Sequence, residues 1–211
     1  MPGHFEPISG GGAAVALDEV EISIIRSLAV QLLELIGPGP AEDASADPLA
    51  GLFTEGPSEP PQDPVLRRLF PDAYGGPAEG EPASAEKAEK AEETEAAEEQ
   101  RAYSAEFRRF TENDLRAGKR DNALAVIRSL DALGTAGNGG AILELTAEES
   151  LQWLGALNDL RLAIGARLEI SAEGDTDLLY RLPDEDPRKP MVMAYLWLGA
   201  LQETLVETLL R

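Results

Sequence analysis

The heptapeptide "VALDEVE", Val15–Glu21, decides the fold. Val15 and Leu17 alternate as a strand does, and Asp18 then offers a carboxylate where a helix needs an N-cap. Glu21, three residues on, completes a capping box. Beyond it Ile22, Ile25, Ala29, Leu32 and Ile36 recur at steps of three and four, which is one apolar stripe on a helix, and "GPGP" (Gly37–Pro40) stops it. The same grammar returns far down the chain in "LELTAEE", Leu143–Glu149: strand, Thr146 as cap, Glu149 closing the box. Two such strands, each feeding a helix, predict that they pair. The pairing is expected to set the two helix starts side by side. Upstream, residues 4–17 read as a hairpin, "HFEPI" and "AAVAL" joined through "SGGG", whose glycines supply a tight turn.

Three further helices are expected. One runs from about Glu98 to Ala132, one from Ala147 to about Leu168, and one from Pro190 to Arg211, where Met191, Ala194, Leu198, Leu201 and Leu205 keep a heptad-like spacing. The fold class is therefore mainly α: a helical bundle of about four long helices with a small antiparallel β-sheet made from the N-terminal hairpin and one later strand. In the Glu98 helix Tyr103, Phe107 and Phe110 form an aromatic stripe, continued by Ala117, Leu124 and, toward one edge, Ile127; Gly118 weakens the helix locally. "GTAGNGG" (Gly134–Gly140) follows a helix and precedes a strand, the reverse of a phosphate-binding glycine loop.

One domain is expected over 1–211, with a core of 1–36 and 98–211. Residues 37–97 form an insert rich in Pro, Glu and Ala, partly disordered, and ten of the fifteen prolines fall between 37 and 99. Two islands stand out, "DPLAGLF" (Asp47–Phe53) and "DPVLRRLF" (Asp63–Phe70), each with Asp at an N-cap and Pro at N1. They predict two short docking helices. Their anchors, Leu49, Leu52, Phe53, Leu66, Leu69 and Phe70, either pack on the protein's own core or bind a partner. From Gly75 to about Ala97 the apolar content is too low to offset the entropy of ordering.

Composition excludes much chemistry. The net charge is -21, there is no cysteine, and His4 is the single histidine. Disulfides, thiolate metal sites and thiol switches are ruled out, and a His-based triad would have to recruit His4 alone. The acidity argues against direct nucleic-acid binding and against anionic membranes. "MPGHFEPISGGG" lacks the basic-then-apolar order of a secretion signal, and "MVMAYLWLGAL" (Met191–Leu201) is too short to span a bilayer. A cytoplasmic protein with no cofactor is expected, not an enzyme. The alternative is a metal-dependent enzyme using the acidic loop 173–186, through "EGDTD" and "PDEDP", since carboxylates suit Mg²⁺ or Ca²⁺.

The tetrapeptide N-D-L-R occurs twice, at Asn113–Arg116 and Asn158–Arg161. On a helical wheel Asp114 joins the aromatic stripe, while Arg161 falls inside the apolar arc of its helix and Asp159 points away. One copy thus buries an acid and the other a base, which predicts an Asp114–Arg161 ion pair between packed helices; Arg161 as an anchor for an anionic ligand is the other reading.

With "DPVLRRLFPDAY", "EFRRFTENDLR" and "WLGALNDLRLAIGARL" in view, the chain resembles the AosR-like oxidative stress regulators of actinomycetes, formerly a domain of unknown function. The resemblance runs from "AVALDEVE" to "LQETLVETLL". It implies a cytoplasmic, non-enzymatic regulator tied to a stress-response sigma factor and to control of cysteine biosynthesis genes. The partner implied is a protein with a basic surface, such as a sigma factor. Where the family's sensing is attributed to cysteine oxidation, this cysteine-free chain departs from it.

Overall fold

The computed structural model describes residues 3–38, 55–74, 92–133, 140–172 and 174–210. Among these the elements run β1 (Glu6–Ile8), β2 (Gly12–Leu17), α1 (Glu19–Ile36), α2 (Pro64–Leu69), α3 (Glu92–Ala132), β3 (Ala141–Leu145), α4 (Ala147–Arg167), α5 (Asp175–Tyr180) and α6 (Lys189–Leu209). The mainly helical fold with a small antiparallel sheet is the one expected from sequence. The chain divides into two compact units, Met1–Pro38 with Gly118–Arg211, and Gly39–Ala117. The boundary between the two units on this helix falls inside α3, at Gly118.

The first unit is built on the sheet, in order β1-β2-β3. Val15 stands opposite Leu143, as the shared grammar of the two strands requires. The ladder is antiparallel and sets Leu17 against Ala141 and Ala13 against Leu145. The expectation of adjacent helix starts is therefore wrong. Asp18 lies just past one end of the ladder and Thr146 just past the other, roughly 20 Å apart along the strands. Each cap works independently. Asp18 accepts from the Glu21 amide at 2.8 Å while Glu21 accepts from the Asp18 amide at 2.9 Å. Thr146 accepts from the Glu149 amide at 3.2 Å while Glu149 accepts from the Thr146 amide at 2.8 Å. Those bonds hold the Glu149 carboxyl below its ordinary pKa, the backbone donor first. Gly12 sits so close to the neighbouring strand that a Cβ there would strike the carbonyl oxygen of Leu145.

Ala13, Val15, Leu17, Leu143 and Leu145 turn one face of the sheet inward and are buried. That face is covered by α4 and α6, which pack along each other. Trp153 of α4 is fully buried; its ring meets Phe5 edge-on at 6.2 Å and its Nε1 donates to Ser129 Oγ at 2.9 Å. Phe5, at the outer edge of the sheet just before β1, is held by α6: its amide donates to Thr204 Oγ1 at 3.1 Å and its carbonyl accepts from Thr208 Oγ1 at 3.3 Å. These two threonines, one helical turn apart, supply the donor and the acceptor that a fourth strand would otherwise have given. At the end of α1 the carbonyl of Gly37 accepts from Arg120 of α3.

In the second unit, α2 begins as expected. Asp63 caps it, accepting from the amides of Val65 at 2.8 Å and Leu66 at 3.1 Å, with Pro64 in the first turn. The other predicted island, with Leu49, Leu52 and Phe53, and most of the Gly75–Ala97 stretch lie outside the described residues. The long helix starts at Glu92 rather than near Glu98, so the Glu- and Ala-rich run just before Tyr103 is its first turns.

Candidate functional site: an inverted helix face

The first half of α3 buries polar side chains and exposes aromatic ones. Ser104, Arg108 and Glu112, spaced four apart on one side of the helix, are all buried. Tyr103, Phe107 and Phe110 are 52%, 45% and 63% exposed, on a side roughly 120° away. The expected aromatic stripe exists as an angular set, with Asp114 on it, but it does not face a core.

The polar side is covered by Phe70, at the end of α2, and by the loop after it. Arg108 donates to Glu112, to the Phe70 carbonyl at 3.0 Å and to Asp72 at 2.8 Å. Burial alone would lower the Arg108 pKa; the hydrogen bonds from Asp72 and Glu112 outweigh it, and the pKa is raised. Arg116 donates to Glu112 at 2.8 Å and lays its guanidinium 4.3 Å over the Phe70 ring. Ser104 Oγ both donates to the Tyr74 carbonyl at 2.6 Å and accepts from the Tyr74 amide at 2.9 Å. A loop needs partners for its backbone groups, and the polar stripe supplies them. Clamped in this way, Tyr74 sets its ring edge-on to Tyr103 at 6.3 Å and to Phe107 at 6.2 Å. The result is an open cleft of about 460 Å³ lined by Tyr74, Tyr103, Glu106, Phe107 and Phe110.

Among the predicted partner-binding anchors, Leu69 and Phe70 are buried and Leu66 is half-buried. The apolar surface of Leu69 and Phe70 is packed within the chain. The aromatic face of α3 was missed because a stripe on a wheel reads as core by default. The available signal was its company: Glu99, Glu106 and Asp114 share the side of the helix that carries the rings.

The two N-D-L-R copies play different parts. Asp114 is exposed, so no buried charge there calls for neutralisation, and the motive for pairing it with Arg161 is gone. The buried acid of α3 is Glu112 instead. Arg161 is half-buried; it donates to Gln202 at 2.5 Å and lies 5.1 Å over the Tyr195 ring. Asp159, expected to point outward, is buried and accepts from Lys119 at 2.5 Å. A wheel of α4 alone could not register that α3 brings a lysine to that side. What the copies share is an arginine laid over an aromatic ring.

Burial pushes the Asp159 carboxyl above its ordinary pKa, while the hydrogen bond and charge of Lys119 pull it down. A raised folded-state pKa means that this acid favours the fold when protonated and loses that contribution as pH rises through its folded pKa. Lys119→Met removes the opposing pull. The variant should be about 3 kcal/mol less stable near pH 7. The deficit should shrink as pH falls below about 3, under the unperturbed Asp value of about 3.9, where Asp159 is protonated in folded and unfolded chains alike. Urea unfolding of both proteins across this range checks it; a deficit independent of pH would show that the lysine acts by packing alone.

In the acidic loop, Asp175 accepts from the amides of Ser171 and Ala172 at 2.9 and 2.8 Å. Asp186 pairs with Arg188 at 3.0 Å. Glu173 lies outside the described residues. Among those described, no three His, Cys, Asp or Glu side chains are grouped to hold a metal, and no helix is long and apolar enough to cross a membrane.

The family described as a domain of unknown function, DUF2017, matches residues 3–209. The chain is similar to the "Oxidative stress regulator AosR" of Mycobacterium tuberculosis, 30% identical over 194 residues, 90% of this chain and 78% of the relative. The protein of the same name from Mycobacterium bovis matches over the same length at the same identity. A Mycobacterium leprae protein named for the same role is 31% identical over 197 residues, 90% of this chain and 79% of its own. No solved structure matches the chain.

Proposed function

We propose, starting from the fact that the chain belongs to the DUF2017 family, that it is a cytoplasmic, non-enzymatic regulator that acts by binding another protein. The homologues named oxidative stress regulators support a regulatory role. The observation that carries the reading further is the inverted half of α3. Three rings are left on the surface of a chain with a net charge of -21, which is the composition of an interaction face. The partner we expect has a basic surface, a sigma factor being the kind the family resemblance brings to mind, and any effect on transcription runs through it rather than through DNA. The oxidative signal has to reach this chain by a route other than its own thiols, since it has none.

Native affinity capture from the host tests this. A specific protein should be retained, and its retention should weaken as salt is raised from about 0.05 to 0.5 M, because steering between unlike charges is screened. Capture of no protein, or submicromolar, sequence-dependent DNA binding by the purified chain, overturns the reading.

A further inference from the structure

The cleft on α3 has a chemistry of its own. Tyr74 meets Tyr103 and Phe107 at interplanar angles of 64° and 88°, so the three rings form a corner rather than a flat stack. Rings set at right angles leave ring faces open, and an aromatic face carries the negative end of the ring quadrupole. The carboxylates lie on the same side. Glu106 lines the cleft, Glu99 accepts from the Tyr103 hydroxyl at 3.0 Å, and Asp114 follows one turn beyond Phe110. The local field is strong enough to raise the Tyr103 pKa, through the hydrogen bond to Glu99, the charge of Glu99, burial and the charge of Glu106. Among the described residues, none that line the cleft is a cation. Arg109 is paired with Glu55 and rests 5.3 Å over the Phe110 ring, on the flank of the same surface. The protein itself therefore seats guanidinium groups on its rings, here and at Arg116 over Phe70.

We propose that this cleft receives an arginine- or lysine-bearing segment of a partner protein, with the cation held in the corner of Tyr74, Tyr103 and Phe107 and balanced by Glu106. The inference rests on the protein-binding reading above and names its surface and its chemistry. An apolar partner face would satisfy the rings but strand Glu99, Glu106 and Asp114. A second copy of this chain would bring a like charge of -21 against the same acids. A cationic segment satisfies both the rings and the carboxylates.

The test uses the full chain and two synthetic amphipathic helical peptides of identical apolar positions, one carrying arginines and the other glutamates at its polar positions. Binding is measured by titration calorimetry, with tyrosine ring signals followed by NMR. The arginine peptide should bind at least about tenfold more tightly than the glutamate peptide, with shifts at Tyr74 and Tyr103. Phe107→Ser and, separately, Glu106→Arg should each weaken it by about tenfold or more. Both side chains lie on the open cleft, and unchanged melting curves would confirm that the variants fold; Glu106→Gln, a smaller change, should give an intermediate loss. Unchanged affinity in all three variants would mean that the peptide answers only to net charge, and would overturn the proposal. So would a dimer of the free chain, seen by sedimentation, that Phe107→Ser dissolves. The host capture separates the two levels. A partner retained equally by wild type and Glu106→Arg removes this surface but leaves the protein-binding reading standing, whereas capture of no partner by wild type removes both.

Discussion

Arg108→Met should lower the unfolding free energy by about 3–5 kcal/mol. The guanidinium is 4% exposed and Glu112, its partner one turn on, is 2% exposed. Removing the cation leaves Glu112 buried beside Arg116, takes a donor from the Phe70 carbonyl, and releases Asp72 of the loop from α3. A buried charge without its partner costs far more than the pair contributes when intact, because desolvation has already been incurred. Arg108→Met combined with Glu112→Leu should therefore recover much of the loss. Urea unfolding followed by circular dichroism measures both. A cost under about 1 kcal/mol for the single variant would mean that the stripe is solvated and the inversion of the helix superficial.

Trp153→Ala should cost a comparable 3–5 kcal/mol in the first unit. The indole is fully buried, edge-on to Phe5 and bonded to Ser129, so truncation opens a large cavity between α4 and the outer edge of the sheet. Trp153→Phe should keep most of the packing and lose chiefly the hydrogen bond, at about 1–2 kcal/mol. Against a typical domain stability of about 5–15 kcal/mol, the alanine variant is expected to be marginal at physiological temperature. Equal costs for Ala and Phe would show that the Nε1 bond, not the volume, holds this core.

What the sequence could and could not tell follows from how local each feature is. Asp18 with Glu21, Thr146 with Glu149, and Asp63 with Pro64 are signals spanning four residues or fewer, and each stands where expected. The pairing of Val15 with Leu143 was legible because both strands carry the same strand-cap-helix grammar. The sense of the ladder then put the caps at opposite ends, which no local signal contains. The aromatic stripe shows the harder limit. Periodicity gives the angle between Tyr103 and Ser104, but not which angle is covered. The cover is Phe70 and the loop that follows α2, which present carbonyls and a carboxylate, so the side they choose is the polar one. Lys119 beside Asp159 is missed for the same reason: the partner comes from another helix.

The grip of Thr204 and Thr208 on Phe5 has a consequence in time. Thr208 and Phe5 are 203 positions apart. At a translation rate of about 5–20 residues per second, the hairpin emerges roughly 10–40 s before the helix that closes its outer edge. During that interval Phe5 has a free amide and carbonyl, and β2 still waits for β3. These strands leave the ribosome well before α6 and are completed only when it arrives, so the nascent chain carries an unpaired sheet edge through that interval.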